Sequence, residues 1–269
     1  MELWQAIVLG LVEGLTEFLP VSSTGHLLVT QRLMGLPEDE ASNAFAIAIQ
    51  LGAIVAVLGL YRARIQTMLA GLVGKSAEGA KLTRMLLVAF LPAAVLGLLF
   101  DDLIESYLFG PWPIVIAWTI GGVVMIGLTI KPPSREGRGL DSLDAKSAFL
   151  VGLAQCVAMW PGTSRSFATL VGGLLVGLSM TAAVELSFLL GLITLGAATA
   201  YSIVGHGREM LEAYGPLPLA AGFVAALITA AISAELMVRW LEKRTLAIFA
   251  AWRLIAAAIV SALVLANVI

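Results

Sequence analysis

Glu13-Gly14-Leu15-Thr16-Glu17-Phe18-Leu19-Pro20-Val21-Ser22-Ser23-Thr24-Gly25-His26 is the stretch whose reading decides the fold. It lies inside sequence that is otherwise almost all hydrocarbon. Residues 3–12 are apolar, Glu13 and Glu17 interrupt the run, and Pro20 ends it. A second short apolar piece, residues 23–34, follows at once. A membrane span needs roughly 20 apolar residues, so neither piece crosses comfortably. Two short segments broken by polar backbone predict a re-entrant pair, tolerated only where protein or a water-filled cavity covers the break. Ionisable side chains at such a place are costly and by default mark function.

Composition extends this reading to the whole chain. Of 269 residues, 59% are hydrophobic and 13% charged, and the mean hydropathy is +0.97. A soluble domain carries about 25% charged residues, so the class is a polytopic, all-α integral membrane protein. The net charge of −2 says nothing about nucleic acid, and there is no basic cluster to bind one, so no nucleic-acid partner is expected. Cys156 is the only cysteine, which excludes an internal disulfide and a thiolate metal cluster; its apolar neighbours predict a small buried residue. Met1-Glu2-Leu3-Trp4 lacks the positive start of a signal peptide, so the N-terminus is expected to be retained.

Six further stretches are long and apolar enough to span: 44–61, 85–100, 112–130, 181–204, 218–238 and 246–268. Basic loops at 62–84 (Arg62, Arg64, Lys75, Lys81, Arg84), 131–146 (Lys131, Arg135, Arg138, Lys146) and 239–244 (Arg239, Lys243, Arg244) belong inside the cell. The loops 35–43 (Glu38, Asp39, Glu40), 101–111 (Asp101, Asp102, Glu105) and 205–217 then lie outside.

A second broken pair, 147–160 and about 164–178, surrounds Pro161-Gly162. The loop charges have it enter from the opposite side to the first pair. We therefore expect a single membrane domain, 1–269, built as an inverted-topology repeat of 1–130 and 147–269: about six full transmembrane helices plus two re-entrant helix pairs. Gly10-Leu11-Val12-Glu13 lines up with Gly152-Leu153-Ala154-Gln155. With one residue skipped, Pro20-Val21-Ser22-Ser23 lines up with Pro161-Gly162-Thr163-Ser164. Inverted repeats with broken helices place polar sites near the repeat interface.

Glu13 and Glu17 are four residues apart and share one helix face. Two carboxylates in hydrocarbon do not both stay ionised cheaply, which suits proton transfer; alternatively the pair holds a divalent cation such as Mg2+ or Ca2+. Ser22 or Ser23 either caps the next short helix or supplies a nucleophilic hydroxyl. His26, three residues after Ser23, is its base, the nucleophile itself or a general acid. In the second stretch, Pro161-Gly162-Thr163-Ser164-Arg165-Ser166-Phe167-Ala168-Thr169, Gly162 lets backbone approach a ligand. Thr163, Ser164 and Ser166 bring hydroxyls to a fresh helix start, where free N–H groups attract anions. Arg165 adds a fork for phosphate oxygens, or pairs with Glu17; Thr169 shares its face. Gln50 and Glu185 either line the cavity or bond between helices, and His206 reads as a solvated loop residue. The sum is phosphoryl transfer in a membrane, with transport of a lipid phosphate as the rival.

These residues resemble the undecaprenyl-diphosphate phosphatases associated with bacitracin resistance, over nearly the whole chain. The Glu13–His26 stretch, Pro161–Ser166 with Thr169, Gln50-Leu51-Gly52-Ala53-Ile54 and Ser187-Phe188-Leu189-Leu190-Gly191 carry the likeness. The resemblance implies an inner-membrane enzyme that removes the terminal phosphate of a C55 isoprenoid diphosphate, recycling the carrier lipid for peptidoglycan. It implies catalytic Glu13, Glu17, Ser23, His26 and Arg165, with Ser22, Thr24, Gly162, Thr163, Ser164, Ser166, Thr169 and Gln50 around the substrate. A periplasm-facing site, Mg2+ or Ca2+ on Glu13 and Glu17, membrane lipids as neighbours and a homo-oligomer are compatible with it. Two positions depart from the family: Phe167 replaces a frequent Gly, which would tighten the pocket, and 191–196 lacks a frequent Pro.

Overall fold

The computed structural model describes residues 1–37, 39–131 and 137–269, without the side chains at 101, 102 and 105. Glu38 and Arg135, and the side chains of Asp101, Asp102 and Glu105, which carried part of the loop-charge reading, lie outside the described residues.

Eleven α-helices follow one another among the described residues: α1 (Leu3–Thr16), α2 (Ser23–Leu33), α3 (Glu40–Leu60), α4 (Arg62–Leu72), α5 (Ala77–Leu108), α6 (Pro111–Ile130), α7 (Ala145–Cys156), α8 (Arg165–Leu175), α9 (Met180–Tyr214), α10 (Pro216–Lys243) and α11 (Ala247–Leu265). Six are long and apolar enough to cross a membrane: α3, α5, α6, α9, α10 and α11. They carry the six expected spans. Their outer faces are hydrocarbon, with Leu98, Leu99, Ile130 and Val204 standing outward. α1 has 14 residues and α2 has 11. At 1.5 Å per residue, α1 is about 21 Å long, short of a core of about 30 Å. α7 and α8 form the second short pair.

The helices run further than the apolar stretches do, because their ends are capped. The Asp39 carboxylate accepts the Ser42 N–H at 2.8 Å and starts α3 early. α9 continues through the expected outer loop to Gly215, whose φ of 74° ends it. The basic stretch 62–84, read as a loop, holds α4 and the start of α5. One of its charges is tied to other elements as well as its own: Arg64 bonds Glu185 at 2.7 Å, Glu78 at 2.8 Å and Asp141 at 3.0 Å. Glu185 is thus a structural ion-pair partner.

α1 packs along α10, 200 residues away in sequence, through small residues. A Cβ on Gly14 would lie 2.1 Å from Thr229 Oγ1 and 2.4 Å from the Ala226 carbonyl; one on Gly10 would lie 2.2 Å from the Gly222 carbonyl. Close approach of this kind is how helices associate in lipid. The Ser233 hydroxyl donates to the Gly14 carbonyl at 2.6 Å. Gly14→Ala should therefore destabilise the protein by about 1–3 kcal/mol, the usual cost of overpacking. A thermal unfolding curve in detergent checks this, and an unchanged midpoint would refute the packing.

The two breaks share a local geometry. Ser22 (φ 74°, ψ 99°) caps α2 and its hydroxyl accepts the Gly25 N–H. Ser164 (φ 75°, ψ 115°) caps α8 and accepts the Phe167 N–H. Non-glycine residues seldom hold positive φ, and such strain concentrates at functional sites. The caps pair Ser22 with Ser164, an offset of 142 positions, which also pairs Gly10 with Gly152 and Glu13 with Gln155. The skipped residue in the sequence alignment is unnecessary: Ser23 corresponds to Arg165, each the first residue of its helix.

Candidate active site

Glu17, Ser22, Ser23, Thr24, Gln50, Gly162, Ser164 and Arg165 line one small pocket of about 60 Å³, with Ala158, Pro161 and Leu195. The first residues of α2 and α8 both abut it, so two helix N-termini, each favourable to an anion, converge on one place. Gly162, at φ 95°, lines it where a side chain would strike Ala117 and the Ile114 carbonyl at 2.9 Å.

Three side chains form a chain of contacts across the pocket. The Ser23 hydroxyl donates to Glu17 Oε2 at 2.5 Å. Arg165 Nη2 donates to Glu17 Oε1 at 2.6 Å, and Nη1 donates to the Ser187 carbonyl at 2.7 Å. Arg165 Nε is buried with no partner. Gly191 makes room for this guanidinium, since a Cβ there would lie 2.3 Å from Nη1. Glu17 and Arg165 are nearly enclosed, with side chains 5% and 11% exposed.

Other expected residues stand around this pocket without lining it. Glu13, one helical turn behind Glu17, is fully buried and neither carboxylate oxygen has a hydrogen-bond partner. Ser166 shares a hydrogen bond with Ser164 and donates to the Leu19 carbonyl at 3.2 Å, which ties the two breaks together. Thr169 is wholly buried and donates to Ser187 Oγ at 2.8 Å; it braces α8 against α9. Thr163 presents its carbonyl to Arg253. Phe167 is buried behind the pocket, its ring 5.5 Å from the Arg253 guanidinium carbon, so it does not narrow the site. Cys156 is half-buried and donates to the Gly152 carbonyl.

His26 occupies a different place from the one its spacing suggested. Nδ1 lies 2.7 Å from the Ser22 carbonyl, which only accepts, so Nδ1 carries a proton. Nε2 then accepts the Trp252 indole N–H at 2.9 Å. The imidazole is neutral, with both nitrogens engaged, and it sits beside Trp118 and Trp252 at ring distances of 4.7 and 6.0 Å. The partner of Ser23 is Glu17. Replacing Trp252 with Phe should move the His26 Nε2 resonance toward a free acceptor in 15N-histidine spectra; no movement would refute the contact.

A second cavity of about 510 Å³ meets the pocket at Thr24 and Gln50, which line both. α2, α3 and α9 wall it, with Gln31, Glu40, Tyr201 and His206 among its lining. His206 is a residue of α9, not of a loop, 3.2 Å from Glu40. A groove of about 750 Å³ between α3, α9 and α10 holds none of the expected site residues.

Sequence reasoning passed over Trp252 and Arg253. The signal was available for Arg253, a lone charge within the last apolar stretch.

Residues 6–259 match the family model described as bacitracin resistance protein BacA. A protein named undecaprenyl-diphosphatase from Ectopseudomonas mendocina is 44% identical over 258 residues, 94% of this chain and 92% of the relative. One of the same name from Azotobacter vinelandii is 45% identical, also covering 94% and 92%. One from Sorangium cellulosum is 42% identical over 96% of this chain and 85% of the relative.

Proposed function

The chain belongs to the bacitracin resistance protein BacA family, and from that membership we propose that it is a multi-pass membrane phosphatase that hydrolyses undecaprenyl diphosphate to undecaprenyl phosphate and inorganic phosphate. The activity recycles the carrier lipid for peptidoglycan synthesis and confers bacitracin resistance. The observation that carries the site-level reading is the convergence of two helix N-termini, Arg165 and the Ser23–Glu17 pair on one pocket.

The lipid enters through the larger cavity, and its terminal phosphoryl group rests between the starts of α2 and α8. Backbone N–H groups and the free Arg165 Nε–H hold the phosphoryl oxygens and stabilise the charge that develops on them. Ser23 Oγ attacks the terminal phosphorus and passes its proton to Glu17. The bond to the bridging oxygen breaks and the lipid monophosphate leaves. Water then cleaves the phosphoserine and restores the hydroxyl. His26, three residues after Ser23 on α2, exchanges protons with the leaving group and the incoming water once Trp252 releases Nε2. Thr24, Gln50, Ser22 and Ser164 orient the substrate.

A divalent cation fits the donor chemistry in one respect: Glu13 offers two unpartnered carboxylate oxygens beside Glu17, the hard ligands that Mg2+ or Ca2+ takes. When bound, the cation supplies neutralising charge to the phosphate. The larger cavity reaches Glu40 and His206, on the side away from the basic loops, which supports a site facing the periplasm of the inner membrane. The shared cap geometry and constant offset of the two breaks support the inverted repeat. A homo-oligomer is part of the same proposal, and native mass spectrometry in detergent tests it.

The deciding experiment is phosphate release from farnesyl or undecaprenyl diphosphate by purified protein, with and without chelator. Release is expected. None from any polyprenyl diphosphate, in folded protein, would favour a lipid-phosphate transporter. Loss of release on chelation would assign Glu13 and Glu17 to a cation, and full retention would remove the cation.

A further inference from the structure

Arg253 stands in the second turn of α11 with no surface exposed. Among the described residues it forms no ion pair. Its guanidinium makes five hydrogen bonds, all to backbone carbonyls, which uses every N–H donor the group has. Nη1 donates to Pro20 at 3.1 Å and Thr163 at 3.0 Å. Nη2 donates to Gly162 at 2.7 Å and Ala117 at 2.8 Å, and Nε donates to Trp118 at 3.3 Å. Pro20 belongs to the first helix break, Gly162 and Thr163 to the second, and Ala117 and Trp118 to α6. Gly121 leaves the space for it: a Cβ there would lie 2.2 Å from Nη2.

A buried charge without a counter-ion is expensive, and an apolar residue of similar volume is often more stable. This one is placed where its geometry matters to chemistry. We propose that Arg253 is a positioning residue for the phosphatase reaction. Its planar fork fixes the first break, which carries Ser23, against the second, which carries Arg165, and its unpaired charge favours the diphosphate that binds between them. Arg253 does not line the pocket, so it acts through the backbone it holds and through its field. In a medium of low dielectric that field is weakly screened. The inference rests on the phosphatase reading for its kinetic part alone.

Two variants separate the fork from the charge. Arg253→Lys keeps the charge but presents three donors from one point. It should bind a non-hydrolysable methylene analogue of farnesyl diphosphate within about threefold of wild type, while kcat falls by about tenfold or more, because small misplacements of reacting groups are costly. Arg253→Met removes the charge and should weaken analogue binding by about tenfold or more. Val260→Ala, in the apolar contact of α11 with α6, controls for stability: it should lower the unfolding temperature and leave kcat per folded molecule unchanged. Wild-type kcat in Arg253→Lys, or a loss no larger than its loss of folded protein, would overturn the positioning role. Wild-type analogue affinity in Arg253→Met would overturn the charge role, and if that variant does not fold, wild-type affinity in the neutral Arg253→Gln, which keeps amide donors, would overturn it instead. If wild type releases no phosphate, the phosphatase reading fails, and analogue binding still tests Arg253.

Discussion

Replacing Arg165 with lysine is expected to cut phosphate release by about a thousandfold, the scale on which a charge-stabilising arginine acts in phosphoryl transfer. The side chain does three things at once. Nη2 holds Glu17, Nη1 holds the Ser187 carbonyl, and Nε is buried and free. The planar fork sets these directions together, and an ammonium on a flexible stem does not. Lysine keeps the buried charge beside Glu17, so the variant should fold and the loss should appear in kcat rather than in yield. Gly191→Ala approaches the same guanidinium from the other side, where a Cβ would lie 2.3 Å from Nη1, and should reproduce part of the loss. Steady-state release by folded Arg165→Lys decides it. Full activity would mean that the phosphoryl oxygens are held elsewhere.

Ser23→Ala carries the second large effect, a loss of about a thousandfold or more if its hydroxyl is the nucleophile. The variant removes the donor to Glu17 Oε2 and leaves the cap intact, because Ser22 is the residue that caps α2. Structural loss should therefore be small. Wild type quenched in acid during turnover should carry a phosphoryl group on the Ser23 peptide. His26→Ala should cost less, since its ring nitrogens bond Trp252 and the Ser22 carbonyl rather than Ser23. Near-normal turnover in Ser23→Ala with none in His26→Ala would reverse these roles.

Much of this arrangement was legible before the structure. Hydrocarbon runs marked all six spans, and the cost of charge in hydrocarbon singled out both breaks. Their meeting could be inferred because each had half of what a phosphate needs. What escaped was direction. Helical spacing brought His26 near Ser23 along the chain, but spacing does not say which way a ring turns, and Trp252, 226 residues later, holds it. The pairing of Glu17 with Ser23 crosses a break where helical periodicity no longer applies. α4 was missed because its charges looked solvated, whereas Arg64 gathers Glu78, Asp141 and Glu185 from separate elements. Arg253 was missed because a single charge in a long apolar run left its hydropathy high.

The pairing of α1 with α10 also has a consequence in time. The chain leaves the ribosome from its N-terminus, at about 5–20 residues per second in the usual range. Gly10 and Gly14 thus wait roughly ten to forty seconds for Gly222 and Ala226 to be made, at that pace. Throughout that interval α1, which carries Glu13 and ends just before Glu17, lacks the helix it packs against. A nascent chain halted before α10 already holds every residue that lines the pocket; what it still lacks is the helix that packs against α1 and the Arg253 fork that joins the two breaks.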